Sequence, residues 1–216
     1  MTENIIFIAF IGALCSSDIT AFGQFMICRP IFCAPVIGFL MGDISTGLWI
    51  GMIVEMLWIN AIPLGASVPI DVSLISVLST FWVCRYFLGF QGEVILGIIL
   101  AVPFAYLYRE IDIFGRNFNT KIMHWIEKGI ESGKYWRIDA GVITGLFLFV
   151  LRAFLFCIFA MIVGGWIYSS IYPQLPKFVL FGFKKAWYLM PIAGFGMVIY
   201  NFKSVKIPFW RNSRYD

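Results

Sequence analysis

Apolar residues fall in long blocks along the chain: Ile5 to Leu14, Pro30 to Met41, Gly47 to Ile62, Val72 to Phe90, Glu93 to Tyr108, Gly141 to Tyr172 and Phe178 to Tyr200. Such blocks predict helices that are apolar on almost every face, as buried or lipid-embedded helices are. The last four are long enough, or nearly so, to cross a bilayer core of ~30 Å at ~1.5 Å per residue. The early ones are not. The stretch from Pro30 to Ile62 is too long for one crossing and too short for two, and Gly42-Asp43-Ile44-Ser45-Thr46-Gly47 divides it into pieces of 12 and 16 residues. These pieces would extend roughly 18 and 24 Å, the dimensions of half-helices that dip into the bilayer and return. Non-helical backbone at that depth is stable only where protein buries it or where it lines a wet cavity. Short apolar segments interrupted by Gly and Pro therefore point to a transporter's binding site. The expected fold is all-α, a polytopic membrane helix bundle with broken, re-entrant half-helices in its N-terminal half.

Polar and proline punctuation divides the chain further. The segment Pro63-Leu64-Gly65-Ala66-Ser67-Val68-Pro69-Ile70-Asp71 cannot form regular helix, and with so little charge it is expected to be tucked into protein. Gly42, Asp43, Gly47, Pro63, Gly65 and Pro69 are read as the breaks that build the site. From Arg109 to Asp139 the composition changes: six basic and five acidic residues accompany Ile122, Trp125, Ile126 and Ile130 at spacings of three and four. This pattern predicts an amphipathic helix at the membrane surface, or a linker between two membrane blocks. Its positive charge places it in the cytoplasm. A basic tail with Lys203, Lys206, Arg211 and Arg214 follows two further spans, so both basic clusters fall on one side. The expected organisation is a membrane block over 1–108 carrying the candidate site, a cytoplasmic linker over 109–140, a membrane hairpin over 141–201 and a cytoplasmic tail over 202–216.

Composition removes most other classes. The chain has 216 residues, 61% hydrophobic and 13% charged, with a mean hydropathy of +0.88. Soluble domains carry about a quarter charged residues. These values exclude an ordinary soluble domain, a disordered chain, a nucleic-acid module, a coiled coil and a disulfide scaffold. The five cysteines form no CxxC pair and read as small buried hydrophobes. Ile5 to Leu14 has the length of a signal-peptide core. Met1 to Asn4 holds no Lys or Arg and no A-x-A site follows, so the segment is read as part of the mature protein.

Carboxylates in an apolar block cost at least ~2.5 kcal/mol each at the bilayer centre and usually face a cavity, a partner or a substrate. Asp18, Asp43, Glu55 and Asp71 all lie in the most apolar third of the chain. Sugars are recognised by carboxylates and amides that bond several hydroxyls at once, and Glu55, Asp71, Asn60 and Gln24 suit that task. The alternative for Glu55 is a structural ion pair with Arg29 or Arg85. Arg152, about a turn or two inside its span, reads as a snorkelling residue. His124, the one histidine, reads as solvated or interfacial. No Walker loop, G-x-S-x-G motif or metal-spaced His/Cys cluster occurs, so no catalytic residue, metal or cofactor is expected.

The run from Gln24 through Asp71 resembles the IIC membrane component of the mannose/fructose/sorbose/N-acetylgalactosamine family of bacterial sugar phosphotransferase systems. The residues that carry the resemblance are Arg29-Pro30, Gly38, Gly42-Asp43, Thr46-Gly47, Gly51 with Glu55 four on, Gly65-Ala66, and Pro69 followed by Asp71. Gly182-Phe183 and Pro191-Ile192-Ala193-Gly194-Phe195-Gly196-Met197 are similar to a later family stretch. The resemblance implies a multi-pass permease subunit of the bacterial inner membrane. It implies an integral partner, IID, and cytoplasmic IIA and IIB phosphocarriers that phosphorylate the sugar as it arrives. It also implies that the carboxylates face sugar and that the chain works within a homo- or hetero-oligomer. Family members usually continue beyond the point where Asn201 to Asp216 stands, so a C-terminally short form is expected. The residues leave two rivals open: a self-contained ion-coupled secondary transporter, and a truncated non-transporting assembly or regulatory subunit.

Overall fold

The computed structural model describes residues 3–18, 21, 23–61, 68–86 and 92–204, and the predicted breaks at Pro63 and Gly65 lie outside them. All regular structure among the described residues is helical: α1 (Glu3–Asp18), α2 (Pro30–Met41), α3 (Ile44–Leu57), α4 (Val72–Tyr86), α5 (Glu93–Glu131), α6 (Trp136–Ile171) and α7 (Lys177–Ser204), with a 3₁₀ turn at Tyr172–Gln174 before α7. At 12 and 14 residues, α2 and α3 are the broken pair. They extend about 18 and 21 Å, too little to cross a bilayer core.

The break between them is tighter than the predicted six residues. Gly42 closes α2 in the left-handed conformation, φ 86°, which glycine adopts without the steric cost of a Cβ. Asp43 then caps α3, its carboxylate accepting from the Thr46 amide at 3.0 Å and the Thr46 hydroxyl at 2.6 Å. Gly47 is not a break. It lies inside α3, and its bare Cα lets the α2 backbone approach: a Cβ there would stand 2.5 Å from the Ala34 carbonyl oxygen. Gly38 and Gly51 serve the same crossing, facing the Asp43 and Pro30 carbonyls.

Helix α4 is the centre of the bundle. Every residue from Ser73 to Val83 is buried. Ser76 Oγ donates to Ser73 O at 2.8 Å and Ser79 Oγ to Ile75 O at 2.7 Å, so these two hydroxyls enter an apolar core satisfied, whereas the buried Thr80 hydroxyl has no hydrogen-bond partner. Trp82 anchors the packing against α5 and α6. It stacks edge-on with Phe104 at 5.6 Å and donates its indole N–H to Met161 O at 3.3 Å. A Cβ on Gly164 would stand 2.1 Å from the fully buried Trp82 ring. Gly164→Ala is therefore expected to destabilise the bundle by about 1–3 kcal/mol despite alanine's better helix propensity. Thermal unfolding in detergent checks it, and a midpoint at or above the wild type would contradict this packing.

Helices α5 and α6 are long and apolar enough to cross a membrane. Helix α5 passes residue 108 without interruption, so the charged stretch begins on the same helix as the span. The outward faces of α6 and α7 expose Phe147, Leu155, Ile162, Trp166, Phe178, Leu189, Ile192 and Phe195. Exposed apolar faces of that extent mark contact with lipid or with an integral partner. Cys15, Cys33 and Cys157 are buried free thiols.

Candidate functional site: a polar cavity at the broken helices

The loop 23–29 and the stretch 68–71 open on a cavity of about 580 Å³, whereas Gly42, Asp43 and Gly47, read from the sequence as breaks that build the site, lie outside its lining. The end of α1, the loop 23–29, the C-terminal half of α3, the stretch 68–71 and the middle of α5 wall it. Its size is that of ordinary small-molecule sites.

The cavity gathers three of the four residues selected from the sequence, Gln24, Glu55 and Asp71, together with the predicted break Pro69. Asn60 goes elsewhere: it is exposed and its side-chain amide donates to Asn201 on α7. Glu55 is ion-paired, but only in half. Arg29 reaches Oε1 at 3.1 Å, while Oε2 is buried with no hydrogen-bond partner. The ion-pair alternative is thus realised through Oε1 alone, on a residue that also lines the cavity. Arg85 takes no part in this pair.

Asp71 sits just before α4 and caps it. Oδ1 accepts from the Leu74 amide at 3.1 Å and from the Ser73 hydroxyl, and Oδ2 accepts from the Ser16 hydroxyl. These bonds tie the end of α1 to the start of α4 at the cavity wall.

Asp18 carries a role that sequence reasoning missed. It is buried, and its two oxygens accept from the Phe25 amide at 2.8 Å and the Cys28 amide at 3.3 Å. Between Asp18 and Arg29, Gln24 (φ 53°) and Met26 (φ 65°) adopt left-handed backbone that non-glycine residues rarely take. A charged acceptor offsets part of that strain, since hydrogen bonds to ionised groups contribute roughly 1.5–3 kcal/mol. The result fixes Gln24 at the cavity. Asp18→Asn retains one acceptor and turns an amide donor toward a backbone N–H. It is expected to speed hydrogen exchange at the Phe25 and Cys28 amides by about tenfold or more. Unchanged exchange would remove Asp18 from this role.

The opposite wall is basic. Tyr108, Arg109, Asp112 and Arg116 of α5 line it. Asp112 is bridged by Arg116 Nε at 2.9 Å and by Arg152 of α6 at 2.6 Å. Arg152 therefore does not snorkel: it is held inside the bundle by Asp112 and by the Phe149 ring, 5.0 Å from its guanidinium carbon. The Asp112/Arg116 spacing of four was visible in the sequence; the partner forty residues on was not. His124 is exposed and bonds Glu127 at 2.9 Å, away from the cavity. Among the described residues no group of three His, Cys, Asp or Glu could hold a metal ion.

Helices clad outside in apolar residues, with a broken pair walling a polar chamber, define an integral membrane bundle of the kind built to hold a polar solute. A family model described as the sorbose-specific IIC component of the phosphotransferase system matches residues 2–209. The chain belongs to this family of sugar permease components. It is 29% identical over 195 residues to the mannose-specific EIIC component of Escherichia coli K12, spanning 90% of this chain and 72% of that one. It is 27% identical over 177 residues to the sorbose-specific EIIC component of Klebsiella pneumoniae, spanning 82% and 65%. Its fold matches a solved structure described only as a membrane protein, with a TM-score of 0.76 at 24% identity over 94% of this chain and 80% of that one. It also matches a chain of the cryo-EM complex of the mannose transporter ManYZ with microcin E492, with a TM-score of 0.67 at 24% identity over 97% and 84%.

Proposed function

We propose that this chain is the sugar-translocating IIC subunit of a phosphoenolpyruvate-dependent phosphotransferase system. It moves a hexose or amino sugar across the bacterial inner membrane for phosphorylation by a partner IIB subunit. The observation that carries the reading is the cavity at the broken helices, which Gln24, Glu55 and Asp71 line together. A neutral polyol offers donors and acceptors to all three and needs no countercharge there. IID is the expected integral partner. IIA and IIB are the expected cytoplasmic phosphocarriers, consistent with a chain in which the one histidine stands outside the cavity.

The test is uptake in the native host, with and without the gene, over a panel of labelled hexoses and amino sugars. Label is expected to appear inside first as sugar phosphate and to vanish with the gene. Free sugar in its place would overturn the phosphotransferase reading in favour of ion-coupled transport. For the site, Glu55→Gln keeps the shape but exchanges a carboxylate oxygen for an amide. It is expected to weaken sugar binding by about tenfold, the loss of one charge-assisted hydrogen bond. Unchanged affinity would remove Glu55 from the sugar contacts.

A further inference from the structure

The charges that line the cavity are unevenly shared among its walls. Asp18, Glu55 and Asp71 stand with one guanidinium, Arg29, at the broken-helix end. The α5 end has the opposite balance. Both oxygens of Asp112 are already taken, by Arg116 and Arg152, so one carboxylate answers two guanidinium groups. Arg109 is a third, with no ion pair among the described residues and a buried Nε that lacks a hydrogen-bond partner. Arg116 gives only its Nε to Asp112. The Tyr108 hydroxyl is buried beside Ser16, within electrostatic reach of Asp71, Arg152 and Asp112.

Unmet donors in a buried wall require an acceptor. Two surplus positive charges and several N–H donors suit a dianion with three oxygens better than a neutral sugar or a single carboxylate. We propose that Arg109 and Arg116, with the Tyr108 hydroxyl, form an oxyanion subsite for the phosphoryl group of a phosphomonoester at the α5 end of the cavity. The purpose assigned to it rests on the permease reading: the sugar lies against the carboxylates and its new phosphoryl group against the guanidiniums, in one chamber. A phospholipid headgroup offers phosphoryl oxygens too, on a monoanionic diester, and the experiment separates the two sources.

The full chain is purified in neutral detergent and its thermal midpoint is followed while inorganic phosphate replaces chloride at constant ionic strength. Phosphate is expected to raise the midpoint with a saturable dependence. Arg109→Gln and Arg116→Gln are each expected to weaken that apparent affinity by about tenfold. Lys121→Gln, a cation on the same helix outside the cavity, is expected to respond like the wild type. No phosphate response in the wild type, or equal affinity in both arginine variants, overturns the subsite. If micelles doped with phosphatidylglycerol raise the midpoint and abolish the phosphate response, the lipid headgroup is the occupant and the phosphomonoester assignment falls. A phosphate response that survives failure of the sugar-uptake test sinks the permease reading and leaves the oxyanion subsite standing.

Discussion

Replacing Gly47 with valine is expected to abolish sugar uptake. A Cβ at this position would stand 2.5 Å from the Ala34 carbonyl oxygen and 3.0 Å from the Pro35 Cα, and both are backbone atoms of α2. A side chain in the way can rotate aside; a helix backbone cannot. Gly38 and Gly51 repeat the arrangement, each with a carbonyl oxygen 2.6 Å from where its Cβ would lie. The three glycines together make the α2–α3 crossing a contact of backbone on backbone. Valine adds two further carbons beyond the Cβ, so the helices must part. Overpacking of ordinary cores costs about 1–3 kcal/mol, and a clash with backbone belongs at or above the top of that range. The site suffers directly, because Arg29 leads into α2 and Glu55 sits on α3. The movement would also open the core that buried Cys33 and Ile37 of α2 share with Ile50 and Val54 of α3. Gly145→Val is the control, since nothing lies within 4 Å of its Cβ position, and it should transport as the wild type does. Wild-type uptake by Gly47→Val would mean that the crossing is looser than this geometry requires.

The same glycines mark the boundary of what the sequence made legible. Block lengths alone gave the broken pair, since two runs of half-membrane length separated by Gly-Asp admit few other arrangements. They placed α2 at the residues where it is found. Gly47 was misassigned because a glycine near a break and a glycine at a helix crossing look alike in one dimension; only the partner backbone distinguishes them. The cavity was half legible. Glu55 and Asp71 stood out because a carboxylate in an apolar block needs a reason to be there. Asp18 met the same criterion, but its partners are backbone amides in a loop whose left-handed residues, Gln24 and Met26, carry no sequence signal of that conformation. Asn60 was selected as an amide able to bond sugar hydroxyls in the same apolar block as Glu55. Five residues beyond it the chain has left α3, and the amide faces α7 instead.

Arg152 shows the other kind of failure and leads to the second large effect. A lone arginine within an apolar run is most simply explained by snorkelling. Here its side chain is 18% exposed and that of Asp112 7%, with 2.6 Å between them. Asp112→Leu is therefore expected to destabilise the protein by about 3–5 kcal/mol, because it strands Arg152 in the bundle with no countercharge. Arg116 contributes less to that loss, since its side chain is 47% exposed and can be solvated. The double variant Asp112→Leu/Arg152→Met removes both members of the buried pair. It is expected to recover most of the loss, because the desolvation of two ions offsets much of their mutual attraction. Unfolding of the wild type, Asp112→Leu, Arg152→Met and the double variant in one detergent reads the coupling directly. A double variant no more stable than Asp112→Leu alone would show that the cost lies in packing around residue 112 and not in the stranded charge. Recovery in the double variant would separate the two walls of the cavity by kind. The α5–α6 ion pair would then be replaceable by apolar packing, whereas the Asp18 and Asp71 carboxylates hold backbone amides that no apolar residue can satisfy.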